Sequence, residues 1–138
     1  MKEIKIKLND GTPYFYYDNK KSATIKGNVM NIKQIKGEYI YYRLDMVYKN
    51  KSFYINSSST NVFKTIMNCL INMEGNEGVE IKLYKNRNNY NSVDVIQNGR
   101  KLKWYLSGNE FKAIKKDKLD DFLYNNLNSK LSNEPLFN

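Results

Sequence analysis

The chain has no histidine and a single cysteine, Cys69, among its 138 residues. Zinc sites of the usual kinds therefore lack ligands, and no nucleophile has a recognisable base beside it. One thiol cannot close an intrachain disulfide, which fits a reducing, cytosolic compartment. No apolar run approaches the ~18 residues of a membrane span, and the opening MKEIKIKLND has no apolar core of signal-peptide type. Glycine-rich phosphate loops and paired carboxylates at helical spacing are missing too. Asp45, Glu80 and Asp94 alone suggest a metal-dependent nuclease, and isolated strand carboxylates are normally solvated or lysine-paired. The expectation is a protein that is not an enzyme, with no cofactor and no metal.

Positive charge and tyrosine are abundant. The net charge is +9, and tyrosine fills 12 positions. Residues 20–51 carry eight Lys/Arg against two acids, and residues 79–104 carry six against two. Residues 117–138 reverse the balance, with two lysines and four acids. A basic surplus concentrated in strand-like segments favours a polyanionic partner. The competing reading is a solvated lysine surface.

Alternation dominates the pattern. Ile4, Ile6 and Leu8 alternate with lysines, and Tyr14-Phe15-Tyr16-Tyr17 is either a buried strand or an arm that docks on a second subunit. Residues 18–22 read as a polar loop. From Ala23 to Lys36 the apolar parity shifts near Gly27, the mark of a bulged strand. Ile40, Tyr42, Leu44 and Met46 face inward opposite Tyr39, Tyr41, Arg43 and Asp45, and Asn50-Lys51 turns the chain into Phe53 and Ile55. Ser57 to Thr60 offers helix caps, and residues 61–73 repeat apolar side chains at helical spacing, with Cys69 as a small core residue and Gly75 as the stop. Val79, Ile81 and Leu83 begin a three-strand meander. Its first loop is Lys85 to Asn91, its second turn is Asn98-Gly99, and its third strand runs from Lys101 with Leu102, Trp104 and Leu106 inside. Asp117 caps a last helix along Leu119, Phe122, Leu123 and Leu127, and residues 128–138 read as a tail.

Three meander strands with a glycine-containing bend in the first, a helix and two more strands resemble an OB fold over residues 23–106. The sequence looks most similar to small single-stranded DNA-binding OB proteins of phages and mobile plasmids. That resemblance implies a five-stranded β-β-β-α-β-β barrel, so the molecule is expected to be mainly β; the strand or arm at residues 1–22 and the helix and tail at residues 107–138 are read from the residues outside it. The resemblance also implies oligonucleotide binding on the face of strands 2 and 3 and on the loop between strands 4 and 5. On this chain the face is Tyr39, Tyr41, Arg43 and Tyr54, and the loop holds Lys85, Arg87 and Tyr90. Glu134-Pro135-Leu136-Phe137 weakly resembles the family's partner-recruiting acidic tip.

The residues suit that task. Exposed rings at Tyr39, Tyr41, Tyr54, Tyr84 and Tyr105 stack bases at about 1–3 kcal/mol each. Arg43, Lys82, Lys85, Arg87, Arg100, Lys101 and Lys103 neutralise phosphates. The alternative for the rings is cross-strand pairing within the sheet. The expected function is single-stranded DNA binding with little sequence preference, in replication, recombination or DNA transfer, with a homo-oligomer formed through residues 1–18. A protein-interaction module of a phage or mobile element, or an RNA-binding OB module, are the alternatives.

Overall fold

The computed structural model of the protein describes residues 1–8 and 11–133. It is mainly β. The strands are β1 (Lys2–Lys7), β2 (Tyr14–Tyr17), β3 (Lys20–Ser22), β4 (Thr24–Lys36), β5 (Ile40–Tyr48), β6 (Lys51–Ser58), β7 (Val79–Lys85), β8 (Asn91–Gln97) and β9 (Arg100–Lys101). The helices are α1 (Asn61–Leu70), α2 (Gly108–Ala113) and α3 (Lys116–Asn133). The strands form one mixed sheet in the order β3-β2-β1-β6-β5-β4-β7-β8-β9. Within it β7-β4-β5-β6 has the spatial order of a Greek key, the fourth strand returning beside the first.

The expected five-stranded barrel does not close. Closure needs the last strand of the barrel to pair with the third, here β8 with β6. Instead β1 lies parallel along the free edge of β6, from Lys2 opposite Phe53 to Lys5 opposite Asn56. The outer edge of β8 carries β9. Each strand edge accepts one partner, so the N-terminal segment occupies the place closure would have used. Tyr14–Tyr17 resolves as a strand paired on both sides, with Phe15 fully buried in the chain's own core.

β4 spans both parts of the sheet because it bends. Its residues 24–27 pair with β7 and residues 28–36 with β5, with a register shift between Val29 and Asn31. The bulge falls at Met30, three residues after the glycine that suggested it. Gly27 answers a different need: a Cβ there would lie 2.8 Å from the Val47 carbonyl oxygen. Type I′ turns join three hairpins, each with two central residues at positive φ: Asp18-Asn19, Lys49-Asn50 and Asn98-Gly99. The first makes β3 from what reads as a loop, and the second sits one residue earlier than expected.

The core lies between the apolar side of the sheet and helices α1 and α3. Thr60 caps α1 by accepting a hydrogen bond from the Phe63 amide, and Val62, Phe63, Ile66, Met67 and Leu70 are buried. The helix ends at Leu70 rather than residue 73. The third strand of the last meander is also shorter than expected, two residues instead of six. Asn68 of α1 is the reason: its buried amide donates to the Leu106 carbonyl (3.0 Å) and accepts from the Leu106 amide (2.8 Å). Residues 102–106 thus satisfy part of their backbone on a helix side chain instead of a ladder. α3 runs to Asn133, because Leu131 continues the buried stripe of Leu119, Leu123 and Leu127. Residues 128–133 are therefore helix, not tail, and Glu134 to Phe137 lie outside the described residues.

Candidate nucleic-acid interface

The bend in β4 divides the polar face of the sheet into a wide part, β3-β2-β1-β6-β5 with residues 28–36 of β4, and a narrow part, residues 24–27 of β4 with β7, β8 and β9. In the wide part the register places one residue from each of six strands in line. Lys21 is opposite Tyr16, Tyr16 opposite Lys5, Lys5 opposite Asn56, Asn56 opposite Arg43 and Arg43 opposite Lys33. The row holds four cations, a ring and an amide, and no acid. At about 4.8 Å between strands it extends roughly 24 Å.

Two of its members are held in place. The Arg43 guanidinium lies 4.1 Å from the Tyr54 ring centroid, and its Nε donates to Asp45 Oδ1 at 2.8 Å. That hydrogen bond raises the Arg43 pKa, so it stays charged. Lys21 Nζ sits 4.8 Å over the Tyr14 ring, which meets Tyr16 edge-on at 6.4 Å. The acids of this face occupy the adjacent row, where Glu3 is opposite Tyr54 and Tyr54 opposite Asp45. Both are engaged: Glu3 accepts from the Tyr54 hydroxyl (3.2 Å) and the Asn56 amide (3.3 Å). Burial and then the Glu3 carboxylate push the Tyr54 phenol pKa up. On the other side of the cation row, Tyr41 is exposed opposite Ser58, with Tyr39 exposed just before β5.

The narrow part has the same residue types in a compensated arrangement. Asp94 accepts from the Tyr84 hydroxyl at 3.0 Å, pairs with Lys101 at 3.0 Å and faces Lys82 across the ladder. Those contacts raise the Lys101 pKa, and burial followed by the Asp94 hydrogen bond raises that of Tyr84. Lys26 pairs with Glu80 at 3.8 Å. All three strand carboxylates considered for a nuclease thus have a cationic partner. Arg87 and Tyr90 are exposed in the 85–91 loop. The asparagines there build the turn: Asn86 Oδ1 accepts from the Asn88 and Tyr90 amides, and Asn89 has φ 63°. Lys85 Nζ reaches the Asn89 carbonyl at 3.5 Å.

The expected site residues therefore divide. Tyr39, Tyr41, Arg43 and Tyr54 come together on the wide part. Lys82, Tyr84, Lys85, Arg87, Tyr90 and Lys101 belong to the narrow part or its loop. Lys103 and Tyr105 follow β9 and leave the sheet, where Tyr105 lies 6.2 Å from Phe122. Trp104, expected in the core, is 50% exposed because the strand that would have turned it inward stops at Lys101. Lys5, Lys7, Tyr14, Tyr16, Lys21 and Lys33 escaped sequence reasoning as site residues. The alternation at Lys5 and Lys7 was legible, but Lys21 fell in a stretch read as loop, and the pairing of β1 with β6 that sets Lys5 in line with Arg43 was not legible.

Beneath the wide part sits a buried polar cluster. Asp120 of α3 accepts from the Tyr42 and Ser59 hydroxyls, both at 2.6 Å, and its second oxygen lies 3.7 Å from Lys64 Nζ. Burial first, and then the Asp120 hydrogen bond, drive the Tyr42 pKa far above its usual value. Cys69 is buried, and burial pushes its thiol up to about 12, as suits a small core residue. A separate cleft of about 670 Å³ opens among β1, β2, β4, β5 and β6 over Ile4, Ile25 and Phe53. Two of its rim lysines are already paired, Lys2 with Asp18 at 2.7 Å and Lys26 with Glu80.

No family model, no curated protein and no solved structure matches this chain. Among the described residues no helix is long and apolar enough to cross a membrane.

Proposed function

We propose that the protein binds single-stranded DNA, without catalysis and with little sequence preference, across the wide part of its polar sheet face. The row Lys21–Tyr16–Lys5–Asn56–Arg43–Lys33 carries this reading. Four cations in a line suit a phosphate backbone, and the exposed rings of Tyr41 and Tyr39 to one side suit stacking of successive bases. The Greek-key order β7-β4-β5-β6, followed by β8, also supports an OB-type core. Its ring stands open, and the N-terminal strands widen the face of the second and third strands. Replication, recombination and DNA transfer are the processes in which such binding has a use.

The test is a fluorescence titration with oligo-dT, oligo-rU and duplex DNA at two salt concentrations. If the four row cations each contact one phosphate, log K falls against log salt with a slope near −0.7 per contact, about −3 in all. Oligo-dT binds more tightly than duplex, because stacking needs unpaired bases. A salt-independent affinity, or duplex binding as tight as oligo-dT, defeats the proposal. Tighter binding of oligo-rU makes RNA the ligand.

A further inference from the structure

The cation row crosses one place where the sheet parts. β1 and β6 are paired only from Lys2/Phe53 to Lys5/Asn56. Beyond that point β1 continues along β2, to Lys7 opposite Tyr14, while β6 continues along β5, to Ser58 opposite Tyr41. The two strands separate and leave a cleft of about 310 Å³ lined by Lys5, Lys7, Tyr41, Asn56, Ser58 and Thr60, among others. That volume is at the low end for small-ligand sites, about 300–1,000 Å³.

The lining has a definite chemistry. Two ammonium groups stand on the β1 side. Lys5 has one weak ion pair, to Glu3 at 3.7 Å, and no ion pair holds Lys7 among the described residues. On the β6 side are an amide and hydroxyls. The Asn56 amide nitrogen is committed to Glu3, while its oxygen accepts no hydrogen bond from any described residue. Thr60 Oγ1 accepts from the Phe63 amide and retains its own proton to donate. The Tyr41 ring forms a wall. No carboxylate belongs to the described lining. Two cations, an aromatic wall, and hydrogen-bond donors and acceptors without an acid match one anionic, flat, polar-edged unit.

We infer that this cleft is a nucleotide slot: it seats one base against Tyr41, with the adjoining phosphate on Lys5 and Lys7. The inference rests on the single-stranded DNA reading and adds a fixed point to it. A strand following the row is anchored where β1 and β6 diverge, so the N-terminal strands are part of the binding surface. The same chemistry admits a free nucleotide, and the experiment separates the two sources.

Ser58 is exposed on β6 beside the cleft, and indole is compatible with a strand, so Ser58→Trp fills the slot without touching the core. Wild type, Ser58→Trp and Arg43→Ala are titrated with oligo-dT and with thymidine monophosphate, with thermal melts as a check on folding. Lys7→Ala, in the cleft and outside the row, serves as a second slot variant should Ser58→Trp melt early. The expected result is a loss of about tenfold in oligo-dT affinity for the slot variant, the scale of one stacked base, at an unchanged melting temperature. Thymidine monophosphate that binds wild type as tightly as oligo-dT, and not Ser58→Trp, makes the slot a free-nucleotide site. Wild-type affinity in both slot variants, with a loss in Arg43→Ala, overturns the slot and leaves the cation row standing. Wild-type affinity in all three overturns the row as well.

Discussion

The two parts of the sheet use the same residue types and arrive at different balances of cation and acid. In the narrow part each acid meets a cation: Asp94 holds Lys101 and Tyr84, and Glu80 holds Lys26. In the wide part the acids stand one row aside and each pairs with one row cation, Asp45 with Arg43 at 2.8 Å and Glu3 with Lys5 at 3.7 Å, while Lys21 and Lys33 have no ion pair among the described residues. The interiors differ in the reverse sense. Under the wide part lies a buried ionic contact, Asp120 with Lys64. Beside the narrow part, buried Gln97 makes a neutral anchor, accepting from the Glu74 amide and donating to the Glu74 and Glu77 carbonyls. Counting lysines and tyrosines therefore does not locate a site. Pairing decides which cations remain available to a ligand.

The largest expected effect tests the interior difference. Asp120→Ala leaves Lys64 buried without its counter-charge and removes the acceptor of two hydroxyls, so it should cost about 3–5 kcal/mol in chemical denaturation. Gln97→Ala leaves backbone groups of a neutral network unpaired and should cost less, about 1–3 kcal/mol. Equal losses would erase the distinction between the charged and the neutral anchor.

The next test concerns pH. The folded-state pKa of Tyr42 is raised, by burial and then by Asp120, above the ordinary 10.0. The stability this contributes is complete below pH 10 and is lost as pH rises above it, since the unfolded chain ionises first. Tyr42→Phe should flatten that part of the alkaline stability curve, measured by denaturation between neutral pH and the region above 10. An unchanged slope would remove Tyr42 from the account.

The smallest effects compare the two surfaces directly. Arg43→Ala should weaken oligo-dT binding by about tenfold, because it removes both a phosphate contact and the plane over Tyr54. Lys101→Ala should change it by less than about twofold, since Lys101 lies on the narrow part, off the row, and its exposed ion pair with Asp94 is local to that part. A loss at Lys101 matching that at Arg43 would put the narrow part, with Arg87 and Tyr90 in its loop, back at the centre of the interface.

Much of this was legible in advance, for local reasons. Period-two alternation gave the inward faces of β5 and β6, helical spacing gave α1, and Asn98-Gly99 gave its hairpin. Several errors arose where a distant group competed with a local pattern. Alternation through Leu102, Trp104 and Leu106 promised a strand, but Asn68, far away in sequence, takes the backbone of residue 106. Polar residues 18–22 looked like loop, but a neighbouring strand was available to pair with.

Alternation, capping and charge by themselves determined that this chain makes amphipathic strands, with rings and cations on their polar side, and amphipathic helices, because each of those properties depends on neighbours within a few residues. Only the tertiary structure decided that β1 lies along β6 and keeps the ring open. It alone set Lys21, Lys5, Arg43 and Lys33 in one line and gave Lys101 to Asp94. Register between strands distant in sequence is set by the core as a whole, and no short stretch of the chain encodes it.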